Sequence, residues 1–323
     1  MRKALWLALL WSLSVLAAGD AIDEVRTWLE KMVSAQQYLN YEGTFVYISG
    51  SEVRTLQIVH SFDSHGERER LTALDGDGRE IVRDDTHFFT VLPVKKLVLV
   101  ERRAVTPEGK ADPPLESGLD YYDFSVNGSE RIADHRCRIV AIYPRDAFRY
   151  GYRLCLEEDT GLLLKAQTLD RAGQPREQMM FTELKLPERI PTERLQTTVH
   201  ETDFAVLESP AMAGEDSPFQ PDPSWKLSEL PPGFTVRRNE MRQIASSEVP
   251  VQHILLEDGL ASVSIFIARP VPGEPYRSGL TTSGALSALS FPRDGYIVTL
   301  VGEVPPATLE FIARALVREP PAS

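Results

Sequence analysis

His135-Arg136-Cys137-Arg138-Ile139-Val140-Ala141-Ile142, then Tyr143-Pro144-Arg145-Asp146-Ala147-Phe148-Arg149, then Tyr150-Gly151-Tyr152-Arg153-Leu154-Cys155-Leu156 is the stretch that decides the fold. Its outer parts are β-favouring runs and its middle carries a Pro-Arg-Asp turn signal, so it predicts an antiparallel hairpin. With the hairpin centred on Asp146, Cys137 and Cys155 stand at equal distances from the turn and oppose each other. Directly opposed positions bring Cβ atoms within roughly 4.5–5.5 Å, near what a disulfide requires. These are the only 2 cysteines. The register favours a disulfide over two buried thiols, and the absence of C-x-x-C argues against a catalytic thiol.

The same pattern continues outward. Upstream, strands are predicted at Tyr41–Ile48, Val53–Phe62, Glu67–Leu74, Glu80–Arg83, His87–Val91 and Lys96–Glu101. Asp75-Gly76-Asp77-Gly78 supplies one turn, and Asn127-Gly128 predicts another before Arg131. Downstream, Leu162–Leu169 and Glu177–Leu186 are strand-like. Ahead of them all, Ile22, Val25, Leu29, Met32, Val33 and Leu39 recur at helical spacing. A helix followed by strand after strand with hairpin turns argues an antiparallel α+β domain over 21–207. Residues 208–224, punctuated by Pro210, Pro218, Pro221 and Pro223, read as a linker. A smaller α+β domain over 225–318 follows, with strands at Val251–Leu256, Ser262–Ala268 and Tyr296–Val301 and a closing helix after Pro305-Pro306.

The first twenty residues read as an export signal: Arg2 and Lys3, an apolar run from Ala4 to Leu16, then Ala17, Ala18 and Gly19. The run is shorter than the ~20 apolar residues of a spanning helix, so the expectation is a cleaved leader and an exported, not membrane-spanning protein. The 323-residue chain carries a net charge of −12, which disfavours nucleic acid as a partner.

Chemical motifs are sparse. There is no G-x-S-x-G elbow, P-loop, H-E-x-x-H or dinucleotide fingerprint. Asp75-Gly76-Asp77 lacks the later ligands of a calcium loop. His60 and His65 lack further ligands at useful spacing and read as exposed strand histidines. No enzyme, metal or cofactor is expected. Two groups of residues remain as binding candidates. Phe45, Tyr47, Phe88, Tyr122, Phe124, Tyr152 and Phe181 lie on first-domain strands; a curved sheet with a helix across it can enclose an apolar cavity, although from composition alone core filling is the favoured account. Arg145, Arg149, Arg277 and Arg293 are candidates for an anionic ligand or partner, with surface ion pairing as the plainer account for the first two.

Several motifs, in order, resemble one family. They are Tyr121-Tyr122-Asp123-Phe124, Arg131-Ile132-Ala133-Asp134, Pro144-Arg145-Asp146, Arg149-Tyr150-Gly151-Tyr152 and Asp159-Thr160-Gly161-Leu162. The second unit adds Leu230-Pro231-Pro232-Gly233-Phe234, Asp258-Gly259-Leu260-Ala261-Ser262 and Val301-Gly302-Glu303-Val304-Pro305-Pro306. Together they resemble the MucB/RseB family of periplasmic regulators of the sigma-E-type envelope stress response. The resemblance implies a large domain like the carriers LolA and LolB, a half-open antiparallel β-barrel with helices over an apolar cavity. It implies binding to the periplasmic region of an RseA/MucA-type anti-sigma factor, shielding of that factor from a site-1 protease, and release by lipopolysaccharide or a related lipid. Homo-oligomers are compatible with it. The alternative is a periplasmic lipid or lipoprotein carrier, which the second domain disfavours. The segment Ser278–Ser283 reads as a loop and is less basic than the resemblance leads one to expect.

Overall fold

The computed structural model describes residues 7–64, 66–102, 119–197, 203–208, 220–242, 250–271 and 276–319, with side chains from residue 22 onward. Arg2, Lys3, His65 and most of the linker stretch fall outside them. Helix α1 (Leu7–Tyr38) is the first described element, so the leader run from Leu7 onward and the amphipathic segment lie in one continuous helix. Then follow β1 (Tyr41–Ser49), β2 (Glu52–Asp63), β3 (Gly66–Ala73), β4 (Glu80–Arg83), β5 (His87–Leu92) and β6 (Leu97–Arg102). After them come β7 (Tyr122–Ile132), β8 (His135–Pro144), β9 (Gly151–Glu157), β10 (Leu163–Leu169), β11 (Pro175–Lys185) and β12 (Ala205–Glu208). They form one 12-stranded sheet in the order β12-β6-β5-β4-β3-β2-β1-β11-β10-β9-β8-β7. All neighbours are antiparallel except β12, which runs parallel to β6. The sheet does not close: β12 and β7 are its edges. This is a half-open barrel with a helix across it.

Two turn expectations need correction. Asn127-Gly128 does not end a strand. It lies within β7 as a bulge, with the register shifting between Val126 and Ser129 and Gly128 at φ 74°. The turn comes later, at Ala133 and Asp134, both left-handed at φ 46° and 69°, the geometry that matches the twist of a two-residue hairpin. The β8–β9 hairpin is centred on Ala147 rather than Asp146, so Cys137 faces Glu157 and Cys155 faces Ile139. The Asp146 carboxylate accepts the Phe148 N–H at 2.9 Å, which tightens the turn one residue on. Cys137 and Cys155 are therefore diagonal neighbours, and a disulfide joins them with Cα atoms 5.3 Å apart.

Side chains alternate between sheet faces, and the pairing register identifies one face throughout. Phe124 pairs Ile142, Ile142 pairs Tyr152, Tyr152 pairs Thr168, Thr168 pairs Glu177 and Glu177 pairs Ser49. Further along the same face, Phe45 pairs Phe181 and Leu56. Helix α1 crosses this face. Val25 and Leu29 are buried with Tyr122, Val140, Ile142 and Leu156, and Trp28 and Met32 pack beside them. Ala35 and Leu39 join Tyr41, Phe181 and Leu184, and the Tyr38 ring meets Phe62 edge-on at 4.8 Å. Among the described residues, Val59, Ile190 and Leu195 form a small cluster on the opposite face.

The second domain contains β13 (Trp225–Leu227), β14 (Thr235–Arg242), β15 (Val251–Glu257), β16 (Ser262–Ala268), β17 (Gly279–Ser283), β18 (Leu286–Arg293) and β19 (Tyr296–Gly302). Helix α2 (Pro306–Ala315) and β20 (Leu316–Arg318) close it. Six strands make an antiparallel sheet, β14-β15-β16-β19-β18-β17, and β13 pairs β20. Leu309 and Ile312 of α2 pack on Ile254, Val263, Ile265, Val298 and Leu300, with Trp225 and Phe234 buried in the same core. The stretch Ser278–Ser283, expected as a loop, is instead largely β17, an exposed edge strand. Its Thr-Thr-Ser run lacks an apolar alternation because neither face of it is covered, and so periodicity did not reveal it. Asp222 and Ser224, at the end of the linker stretch, bond to Gln252 and Arg318.

Candidate functional site

The inner face divides into a covered and an uncovered half. Under α1, Tyr122 and Phe181 are buried, whereas Phe124 and Tyr152 are half-buried at its flank. Toward β6 the register row continues as Gly43, Ile58, Leu71, Ile81, Thr90 and Leu99. The five side-chain-bearing members are all half-buried. Phe88, two residues from Thr90, shares the face, as do Phe45 and Tyr47. The seven aromatic candidates therefore do lie on one concave face, but not around one cavity. Phe45 and Phe181 meet edge-on at 5.6 Å, Tyr122 and Phe124 are tilted at 6.2 Å, and Phe88 stands apart on β5. The result is an apolar trough, filled by α1 at one end.

The trough ends in charge. At the β2–β4 end His60 is fully buried, not exposed as expected. Its Nδ1 meets the Leu39 carbonyl at 2.7 Å and its Nε2 meets Glu67 at 3.2 Å, and its ring stacks on Tyr41. The Arg83 guanidinium donates to Glu67 and Glu69 at 2.5 and 3.2 Å. Burial pushes the Glu69 carboxyl up, with Arg83 and His60 opposing. Among the described residues no group of three metal-type side chains converges.

The four arginine candidates are not brought together. Arg145 is exposed and held by Asp123 at 2.7 Å and the Asp120 carbonyl. Arg277 is exposed before β17. Arg293 donates to the Ala313 and Leu316 carbonyls, where it satisfies the C-terminal end of α2. Arg149 is different: its side chain is fully buried between the two domains. Its Nη1 lies 3.0 Å from Asp258 and its Nε 3.3 Å from Asp146. These are ion-pair contacts without hydrogen-bond alignment. Its Nη2 donates to the Pro232 carbonyl, and the guanidinium lies over the rings of Tyr121, Tyr122 and Phe234 at 4.8–5.3 Å.

Around Arg149 the two domains interlock. The Tyr122 hydroxyl donates to Asp258 at 2.9 Å. Burial and the Asp258 charge push that phenol well above its ordinary range. Asp258 also accepts the Leu260 and Ala261 N–H groups at 2.9 and 2.6 Å. Gly233, at φ 82°, packs so closely that a Cβ there would stand 2.5 Å from the Tyr121 ring. Thr308 donates to the Phe148 carbonyl at 2.7 Å, and Phe148 meets Phe311 edge-on. Glu177 accepts the Ala285 N–H at 2.9 Å and the Ser49 hydroxyl at 3.2 Å. Burial, then the Glu177 hydrogen bond and charge, push the Tyr47 phenol up to about 12; burial and Glu177 also raise Glu303. No pairwise sequence pattern announces this joint, because its hydrogen-bonded partners lie 83 to 160 residues apart.

A half-open sheet with an apolar trough, joined through a buried ionic box to a second sheet domain, defines a two-domain binding protein. The chain belongs to the MucB/RseB family. Residues 24–199 match the MucB/RseB N-terminal domain and 220–317 the MucB/RseB C-terminal domain. It is 34% identical over 321 residues to the sigma factor AlgU regulatory protein MucB of Pseudomonas aeruginosa, covering 98% of each chain. It is 27% identical over 330 residues to the sigma-E factor regulatory protein RseB of Escherichia coli, covering 96% of this chain and 97% of that one. In three dimensions it overlays on the Pseudomonas aeruginosa MucA/MucB complex with a TM-score of 0.69 at 30% identity, covering 92% of this chain and 99% of that one. On the crystal structure of MucB the TM-score is 0.61 at 31% identity, covering 93% of this chain and 98% of that one.

Proposed function

We propose that this protein is an exported periplasmic regulator that binds the periplasmic segment of an RseA/MucA-type anti-sigma factor. In this reading, binding shields that segment from a site-1 protease, and lipopolysaccharide or a related lipid displaces the regulator. The observation that carries the partner is the likeness, along nearly the whole chain and through both domains, to MucB in its complex with MucA. The leader-like run from Ala4 to Leu16 supports export, and among the described residues no helix is long and apolar enough to cross a membrane.

The trough supports the lipid. Leu71, Ile81 and Leu99 remain half-buried on the inner face, offering apolar surface that acyl chains can cover at about 25 cal/mol per Å². A ligand releases a partner only if it binds the free form better than the complexed one. Lipid and peptide therefore compete, directly or through the position of the second domain. Calorimetry of the protein lacking residues 1–20 against the host's own anti-sigma periplasmic segment, with and without lipopolysaccharide, tests this. Micromolar or tighter binding that lipid weakens is the expected result. Stoichiometric lipid uptake without peptide binding would move the reading to a lipid or lipoprotein carrier.

A further inference from the structure

We propose that Arg149 is a positioning residue for partner binding: it fixes the second domain against the trough domain in the arrangement that the anti-sigma segment recognises. The inference rests on the proposed function and deepens it. The side chain is fully buried, so it does not touch a partner itself and acts only through the geometry it holds. It stands on the first domain, in the loop after β8, yet half of its box comes from the second domain. Asp258, Pro232 and Phe234 belong to the second domain, and Tyr121, Tyr122 and Asp146 to the first.

The box also reaches the trough. Tyr122 is buried under α1 with Val25 and Leu29, and its hydroxyl is bonded to Asp258 across the joint. One residue thus touches both the helix over the trough and the carboxylate that Arg149 engages. A buried charge pair is directional and is costly to leave half-made, so the box admits few relative domain positions. Phe148–Thr308 and Glu177–Ala285 each cross the joint by one hydrogen bond, whereas Arg149 engages Asp258, Pro232 and Phe234 of the second domain together. The whole chain overlays with a TM-score of 0.69 on MucB in the MucA complex and of 0.61 on the other MucB structure.

The test uses the protein lacking residues 1–20 and its Arg149→Met, Arg149→Lys and Tyr122→Phe variants. Three readouts are taken: far-UV circular dichroism for folding, small-angle scattering for the domain arrangement, and calorimetric Kd for the host's anti-sigma periplasmic segment. Arg149→Met is expected to stay folded, to enlarge the radius of gyration and to weaken the segment at least tenfold. Arg149→Lys, which keeps a cation beside Asp258, is expected to recover part of that loss. Tyr122→Phe, the mildest change, covers the case in which Arg149→Met does not fold, and is expected to weaken binding several-fold.

A reversible tether separates positioning from mere stability. Gly284 and Ser49 face each other across the joint, an added Cβ at Gly284 falling 2.1 Å from the Ser49 Oγ. In Tyr122→Phe and in Arg149→Met where it folds, Ser49→Cys with Gly284→Cys is expected to restore affinity when oxidised and to lose it under mild reductant. A folded variant with an altered arrangement but wild-type Kd overturns the proposal, as does an unaltered arrangement or a tether without rescue. If the wild-type protein itself fails to bind the segment, the proposed function and this inference fall together; if it binds and the variants bind equally, only the inference falls.

Discussion

Reducing the Cys137–Cys155 bridge is expected to destabilise the first domain selectively. The two cysteines are 18 residues apart in sequence. Closing a loop of that size removes unfolded-chain entropy that stabilises the folded state by about 3 kcal/mol at room temperature. Neither sulfur is exposed, and substituting alanine for both adds a small loss of packing to the same figure. With a urea dependence of roughly 2 kcal/mol per molar for a domain of this size, the midpoint should fall by about 1.5 M. The assay follows from the tryptophans. Removing residues 1–20 leaves Trp28 and Trp225; Trp28 packs beside the core under α1 and Trp225 lies in the core of the second domain. Replacing either by Phe makes the remaining one report its own domain. The Trp28 transition should move by about 1.5 M on reduction or in Cys137→Ala with Cys155→Ala, and the Trp225 transition should move far less. A Trp28 midpoint that stays within about 0.5 M of the oxidised protein, with both thiols shown to be free, refutes the reasoning. A large shift would mean that the protein reaches full stability only in an oxidising compartment.

Gly43→Ala should cost about 3 kcal/mol in the Trp28 transition, since its Cβ would stand 2.4 Å from the Glu183 carbonyl and 2.8 Å from the Phe181 ring. His253, stacked on Phe266 and hydrogen-bonded to Ser264, has its pKa lowered by burial first and by Arg242 next. A lowered folded-state value means stability is complete above about pH 6.5 and declines as pH falls below it; the Trp225 melting temperature should drop between pH 7 and pH 5, and His253→Gln should flatten that drop. Ile81→Glu with Leu99→Glu places charge on the half-buried trough, so uptake of a fluorescent fatty acid should weaken at least tenfold while circular dichroism stays unchanged. Equal uptake by that variant would locate the lipid elsewhere.

Much of the architecture was legible because its signals are local. The hairpin at 135–156, the opening helix, the turn at Asp75–Gly78 and the closing helix after Pro305-Pro306 each depend on residues near one another, and period and turn chemistry report them. The order of motifs also pointed to the family across both domains. Where two local signals competed, tertiary context chose. Asn127-Gly128 has the residues of a hairpin turn, yet it became a bulge because Ala133-Asp134 turned the chain instead.

The sequence by itself determined the antiparallel α+β class and, through the order of its motifs, the family. That the aromatics share one face follows from strand pairing, which the structure supplies. Only the tertiary structure decided that the trough is covered at one end and open at the other, since that depends on where α1 comes to rest. It also decided the fate of Arg149, which in the chain is one of several arginines around a turn. Burial against Asp258 and Pro232, both distant in sequence, turned it into the centre of the interdomain joint. Long-range ion pairs leave no periodic trace in a sequence, because nothing in the local backbone fixes the separation of the partners.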